Sequence, residues 1–488
     1  MEENGNALKK IAFIGSECYP FVKTGGLGDV MYALPRALIR EGCSVRVILP
    51  LYQCIPERYR KTLTFKGSFM MDLTQDGKTW FVGIMETELD GVIYDFVENR
   101  EFFDWGNPYT GLWEDIPKYC FFSKASLAVL NYLEWTPDII HCHDWQAALV
   151  PMYLKTKFYD TLGSARSVLT IHNLRFQGIC SIQHLKYWSS LDNELFDYPV
   201  LKQNEGEANM FKGGLALTDR ITTVSATYAQ EIQTPSYGEG LDAHLRYHQG
   251  KLSGIVNGID VDQWNPVTDQ LLPAPYSAAD AYEKKAQNKR ALQEALGLDV
   301  DESKMVLGLI SRLTDQKGLD LVDAIVPRAV EDERTQIVVL GTGDPRYENA
   351  FRYYEREYPG TVCAYISYNE GLAHQIYAGA DALLVPSLFE PCGLTQLIAM
   401  RYGTIPIVRA TGGLKDTVLA YEPATNEGNG FTFVDYNPGE LIGAVDRAKE
   451  LYFGDRWRWD EMSRRDMEKD VSWESSARQY MDLYCRLR

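Results

Sequence analysis

Short apolar runs alternate with stretches of helical spacing along most of the chain. "KIAFIG" leads into an amphipathic stretch near Val30–Glu41, and "VRVILP" follows. "PDIIHCHDW", "RSVLTIHN", "DRITTVSA" and "KLSGIVNG" come later, each a strand-like run ending in polar or glycine residues. Runs buried on both faces and separated by helices predict a parallel sheet. The pattern breaks over "NGIDVDQWNPVTDQLLPAPYSAADAY", whose Pro and Asp content suits an inter-domain crossing. It then restarts with "KMVLGLISR", a helix from about Gly318, "TQIVVLGTGD", "TVCAYIS", "DALLVPS" and "GTIPIVRATGG". The fold class is α/β, with two doubly wound units in series. Open α/β sheets bind ligands at the carboxyl ends of their strands, so a deep inter-domain cleft is expected.

Composition narrows the class of partner. A chain of 488 residues is long for one domain and suits two or three. The net charge of -18 argues against nucleic acid or an anionic membrane as the main partner. A neutral polymer is not repelled, and a small anion can bind wherever cations cluster. The nine cysteines are scattered without a C-x-x-C pair, which disfavours a disulfide framework and suits a reducing compartment. The polar start "MEENGNALKK" does not resemble a signal peptide, and no apolar stretch reaches the ~18 residues of a membrane span. A cytoplasmic location is the expectation.

Candidate chemistry lies at the strand ends. "FVKTGGLGDVMYAL" is a glycine-rich strand-to-helix loop. It is no dinucleotide fingerprint, because Met31 stands where the third glycine belongs and the second strand ends "ILPLYQ" without an acid. It is no Walker loop, because Lys23 precedes the glycines. What remains is a lysine, the Gly25–Gly26 turn and a helix N-terminus near Asp29, whose N–H groups suit an anion. The alternative is a tight turn with a solvated lysine. In "SRLTDQKGLD", Arg312 and Lys317 flank a second loop, and two cations can neutralise a diphosphate. In "PSLFEPCGLTQLIAM", Glu390 precedes Gly393, Leu394 and Thr395, whose N–H groups suit phosphate oxygens. Gly412–Gly413 forms a further turn. "HCHDWQ" and "IHNLRFQG" raise a metal site, but no further ligand set accompanies His141, His143, Asp144 and His172. Asp144 and His172 are expected to meet at adjacent strand ends, with another histidine in the core. "ENREFFDWGNPYTGLW" reads as an aromatic loop, suited either to the apolar faces of sugar rings or to packing on its own domain.

Taken in order, "KTGGLGDV", "HCHDW", "IHNLRFQG", "VNGID", "SRLTDQKGLD", "EPCGLTQL" and "TGGLKDTV" resemble the bacterial glycogen synthases and plant starch synthases. These are retaining glycosyltransferases of the GT-B fold, with two Rossmann-like domains, and the likeness spans essentially the whole chain. The resemblance implies transfer of glucose from ADP-glucose to the non-reducing end of an α-1,4-glucan, without a cofactor or required metal. It implies an acceptor-side domain over residues 1–262, a donor-side domain over 263–464, and a C-terminal helix, about 465–488, that returns to the first. By motif position, Lys23 and Gly25–Gly26 would lie near the donor sugar and diphosphate, with Asp29 in support. Arg312, Lys317 and the backbone from Cys392 to Thr395 would hold the diphosphate. Glu390 would bind the glucose hydroxyls. His172, Asn173 and Asn257 would line the sugar pocket beside Asp144, Tyr368 would stack on adenine, and Tyr109 would be an acceptor-side or cleft tyrosine. Arg175, Phe176 and Trp105 depart from the commonest family text, which bears on acceptor preference. Within the same architecture the alternatives are a UDP-glucose or other-acceptor enzyme and a non-catalytic glucan-binding protein.

Overall fold

The computed structural model describes residues 9–105 and 107–487, so the polar stretch 1–8 lies outside the described residues. The chain forms two compact units. Unit 1 runs to Asn257 and resumes at Trp473, and unit 2 is Gly258–Ser472. These breaks lie a few residues from 262/263 and 464/465. The helix Arg456–Glu468 crosses 464/465 unbroken, because Trp459, Met462 and Met467 along it are buried in the cores of unit 2.

Unit 1 contains β1 (Lys10–Ile14), β2 (Ser44–Pro50), β3 (Thr64–Asp72), β4 (Thr79–Leu89), β5 (Val92–Glu98), β6 (Ile139–His143) and β7 (Arg166–Ile171). A small hairpin pairs β8 (Ile179–Ser181) with β9 (Glu207–Asn209), and β10 (Arg220–Thr223) and β11 (Leu252–Gly254) complete the unit. The main sheet has the order β11-β10-β7-β6-β1-β2-β5-β4-β3. It is parallel from β11 to β5, as the apolar runs imply. The β5-β4-β3 edge is antiparallel, a meander absent from the sequence reading. Its turn, Asp90–Gly91, has positive φ at both residues (52° and 81°), the conformation that an Asp-Gly pair favours between hairpin strands. The C-terminal helix Trp473–Cys485 packs on the helix Gly26–Arg40 and buries Tyr480 and Tyr484. Ser476 donates to the Val256 carbonyl (2.7 Å).

Unit 2 contains β12 (Met305–Ile310), β13 (Thr335–Leu340), β14 (Val362–Tyr365), β15 (Ala382–Val385), β16 (Ile405–Arg409) and β17 (Phe431–Phe433). They form one parallel sheet in the order β14-β13-β12-β15-β16-β17. Met305 and Leu307 belong to the core on one face, and Val306 between them to the core on the other. This is why the strands read as unbroken apolar runs. The crossing after Gly258 is tightly held: Asp269 accepts from His374 (2.7 Å) and Tyr402 (2.6 Å), and Trp264 stacks on His374.

Each sheet has a topological switch point. In unit 1 the chain leaves β1 for β2 on one side and later places β6 on the other. In unit 2 it leaves β12 for β13 and later places β15 on the other side. The loops leaving these strand pairs diverge, and the crevice between them is the default ligand site of an open α/β sheet.

Candidate active site

At the switch point of unit 1, the loop after β1 carries a buried carboxylate that the sequence reading missed. Glu17 accepts hydrogen bonds from the backbone N–H groups of Thr24 (2.9 Å), Gly25 (3.1 Å) and Gly28 (3.0 Å), and from the Thr24 hydroxyl. The anion at the N-terminus of the helix Gly26–Arg40 is therefore the chain's own. This corrects the expectation that these N–H groups stand open to a phosphate. Burial outweighs the donors and raises the Glu17 pKa above the ordinary carboxylate range. Lys23 stands outside the turn, half-exposed and paired with Asp29 at 2.7 Å. Gly25 is extended (φ -155°), and a Cβ added at Gly26 would meet nothing within 4 Å. Neither backbone geometry nor packing within the chain demands glycine at Gly26.

Asp144 follows β6 on the other side of the switch point. Its φ of 57° and ψ of -173° fall in a region that costs a non-glycine residue about 1–3 kcal/mol, as is found where a site over-determines its backbone. Its Oδ1 accepts from the N–H groups of His172 (2.7 Å) and Asn173 (3.3 Å), which ties the end of β6 to the loop after β7. The meeting of Asp144 with His172 thus runs through the His172 backbone, not its ring. Burial pushes the Asp144 carboxyl up to about 7.

The His172 ring lies 2.9 Å from His143, Nε2 to Nδ1, and burial holds both imidazoles neutral, His172 down to about 3. His143 Nε2 is buried and without a partner among the described residues. A bare lone pair there is cheaper than an orphaned N–H, so the network assigns the proton of His143 to Nδ1, donating to His172 Nε2. His172 then carries its own proton on Nδ1. His141 is the core histidine, held between Tyr484 (2.7 Å) and Thr170 (2.6 Å). The Tyr109 hydroxyl meets Ser16 Oγ at 2.9 Å, beside Glu17. Asn257 is buried and its Oδ1 lacks a partner among the described residues.

The aromatic stretch is only partly a loop. Asn99 caps a short helix, Arg100–Phe103, that buries Phe102 and Phe103, and the next helix starts at Leu112. Trp105, Trp113 and Phe176 stay exposed, as does Arg175.

At the switch point of unit 2, the loops after β12 and β15 are laced together. Leu388 N donates to the Gln316 carbonyl (2.9 Å), and Arg409 donates to the Leu388 carbonyl (2.5 Å). Lys317 Nζ lies 2.6 Å from Glu390 Oε2, which also accepts from Ser387 Oγ at 2.9 Å. Glu390 is only 8% exposed, whereas Arg312 faces solvent. The two expected cations are thus unequal, since Lys317 is already paired. Gly412 and Gly413 let a second loop pack backbone to backbone on this one. A Cβ at Gly412 would lie 1.9 Å from the Glu390 carbonyl oxygen, and one at Gly413 1.9 Å from that of Cys392. Cys392 is buried, and Gly393, Leu394 and Thr395 lead half-buried into the helix Thr395–Arg401. Tyr368 projects beside the start of the helix Glu370–Gly379, 81% exposed. Among the described residues no group of three or more His, Cys, Asp or Glu side chains is placed to hold a metal ion, and no helix is long and apolar enough to cross a membrane.

Two α/β units whose sheets are parallel around their switch points, each with polar side chains there and one carrying cations around a buried carboxylate, have the architecture of a GT-B glycosyltransferase. Residues 10–247 match the family described as starch synthase catalytic domain, and residues 293–466 match glycosyl transferases group 1. A glycogen synthase of Lachnospira eligens is 48% identical over 479 residues, 98% of this chain and 99% of that protein. A glycogen synthase of Bacillus cereus is 44% identical over 476 residues, 97% of this chain and 98% of its own length. Among solved structures, the catalytic domain of starch synthase IV from Arabidopsis thaliana, bound to ADP and acarbose, superposes with a TM-score of 0.87. It is 37% identical, covering 98% of this chain and 99% of that one. A sucrose-phosphate synthase from Thermosynechococcus elongatus, 19% identical with a TM-score of 0.59 over 98% and 99% of the two chains, shares the fold. The chain belongs to the glycogen synthase and starch synthase family of glycosyltransferases.

Proposed function

We propose that this chain transfers glucose, with retention, from ADP-glucose to the 4-hydroxyl at the non-reducing end of an α-1,4-glucan, releasing ADP. The observation that carries the reading is the set Arg312, Lys317 and Glu390 at the β12/β15 switch point. Departure of a nucleoside diphosphate builds negative charge on phosphate oxygen and positive character on the sugar. Fixed cations beside a carboxylate favour that separation most at the transition state. Arg312 and Lys317 hold the diphosphate with the backbone from Cys392 to Thr395, Glu390 binds glucose hydroxyls, and Tyr368 stacks on the base.

In unit 1, the bare face of Gly25–Gly26 lets the donor approach, with Lys23, oriented by Asp29, at its phosphate. The Nδ1–H of His172 and the amides of Asn173 and Asn257 meet sugar hydroxyls, while Asp144 fixes the backbone that presents them. Tyr109 faces the acceptor. A covalent route needs a carboxylate free to attack. The oxygens of Glu17 and Oδ1 of Asp144 accept backbone N–H groups, and Glu390 is paired with Lys317. In keeping with the retaining chemistry of the family it resembles, in this proposal the departing phosphate takes the proton from the incoming hydroxyl on the same face, and the side-chain cations do the work otherwise given to a divalent metal.

The test is nucleotide release from ADP-glucose and from UDP-glucose with glycogen present, with and without a chelator. The expected result is ADP release that survives chelation. Preference for UDP-glucose overturns the donor assignment, and loss of turnover on chelation overturns the metal-free route.

A further inference from the structure

The segment Pro108–Asp115 carries a structural expense that the reading above does not use. Asp115 and Lys118 form a buried ion pair at 2.7 Å. Asp115 accepts from the N–H groups of Thr110 (3.2 Å) and Gly111 (3.3 Å), and from the Thr110 hydroxyl (2.9 Å). The Pro108 carbonyl accepts from Lys118 Nζ (3.0 Å) and from the Tyr119 hydroxyl (2.7 Å). The segment is thus pinned from beneath at both ends. It nonetheless turns Trp113 outward, 71% exposed, with Leu112 beside it.

Trp113 is not a loose surface side chain. Its ring lies on the His184 imidazole at 4.3 Å between centroids and 22° between planes. His184 also hydrogen-bonds the Trp113 backbone. His184 stands on the helix Ile182–Ser189, capped by Ser181 and packed against the helix Leu112–Tyr132. One indole face is therefore braced and the other stays open. Trp113 follows Tyr109 by four residues, so the two Cα atoms are at most about 14 Å apart. Tyr109 in turn contacts Ser16 beside Glu17.

A rigid, open, flat ring beside a site for a neutral polyhydroxylated polymer suits the apolar face of a pyranose, at little cost in side-chain ordering. We propose that Trp113, braced on His184, is an acceptor subsite on which a glucose unit of the α-glucan rests, away from the reacting 4-hydroxyl. This rests on the proposed glucan-extending activity and adds to it a determinant of acceptor length.

The test compares Trp113→Ala and Trp113→Phe with the unaltered chain, using maltotriose and maltoheptaose as acceptors at saturating ADP-glucose. Trp113→Ala is expected to raise KM for maltoheptaose about threefold to tenfold, the range for a single ring contact. KM for maltotriose, KM for ADP-glucose and kcat stay unchanged, and Trp113→Phe recovers most of the loss. A fluorescence titration with maltoheptaose, without donor, should show the same weakening. An equal change for both acceptors, a change in donor KM, or no change in maltoheptaose binding overturns the proposal. Absence of any glucosyl transfer by the unaltered chain instead overturns the proposed function, while the titration still decides the role of Trp113.

Discussion

Glu390→Gln separates two roles that the geometry combines. In the free protein Glu390 holds Lys317 at 2.6 Å, with side-chain exposures of 10% and 20%. Counting Arg312, the three side chains carry a formal +1 where a diphosphate is proposed to sit. The substitution keeps the shape and an oxygen to accept from Ser387 and Lys317, but raises the sum to +2. One unit charge at about 4 Å is worth about 4 kcal/mol at an effective dielectric of 20. The pair is partly open to solvent, and a bound phosphate stands farther off than Lys317, so about 1 kcal/mol is a fairer figure. ADP should then bind about fivefold tighter. The kcat for glucose transfer should fall about 100-fold or more, because a charge that counters the developing positive sugar is gone. Calorimetric titration of ADP and initial rates with glycogen measure the two effects. An ADP affinity that is unchanged or weaker, in a variant melting within a few degrees of the parent, refutes the idea that Glu390 competes for Lys317.

Gly26→Ala and Gly413→Ala make a contrasting pair. The first should leave thermal stability unchanged or raise it by about 0.5–1 kcal/mol, since alanine suits a helix start better. It should still lower kcat/KM at least about tenfold, because the donor loses its approach, and an unimpaired rate would refute that approach. Gly413→Ala forces a Cβ against the Cys392 carbonyl and should cost stability, about 2 kcal/mol or more, together with activity. A parent-like melting curve would mean that this loop contact yields easily. Glu17→Gln places an amide donor against backbone donors, so unfolding free energy should drop by about 1 kcal/mol even after the relief of desolvation, read from thermal or urea melts. Asp144, with a folded pKa of about 7 against about 3.9 unfolded, contributes stability below pH 4 that is lost as pH rises to 7. Asp144→Asn should therefore flatten stability between pH 4 and 7 and exceed the parent at pH 8. A parent and variant with parallel pH profiles would contradict a raised pKa.

The sequence by itself determined the parallel strands, because burial on both faces leaves unbroken apolar runs at the helix-to-strand alternations. It also marked most of the candidate side chains, because Lys23, Arg312, Lys317 and Glu390 are polar groups in loops that directly follow such runs. The Asp90–Gly91 turn was legible as a hairpin signal too, although the meander it joins was not read. Glu17 could not be recognised. In "GSECYP" it looks like any surface acid, and only the return of the chain at Thr24–Gly28 turns three N–H groups onto it. Likewise, sequence shows that Lys317 and Glu390 are charged. Only the crossing of the β12 and β15 loops, 73 residues apart, decides that one neutralises the other. The glycines divide in the same way. Gly413 is required by a carbonyl brought against it in the fold, whereas Gly26 faces open space, a distinction that no one-dimensional pattern carries because it depends on which atoms the tertiary structure places opposite the missing Cβ.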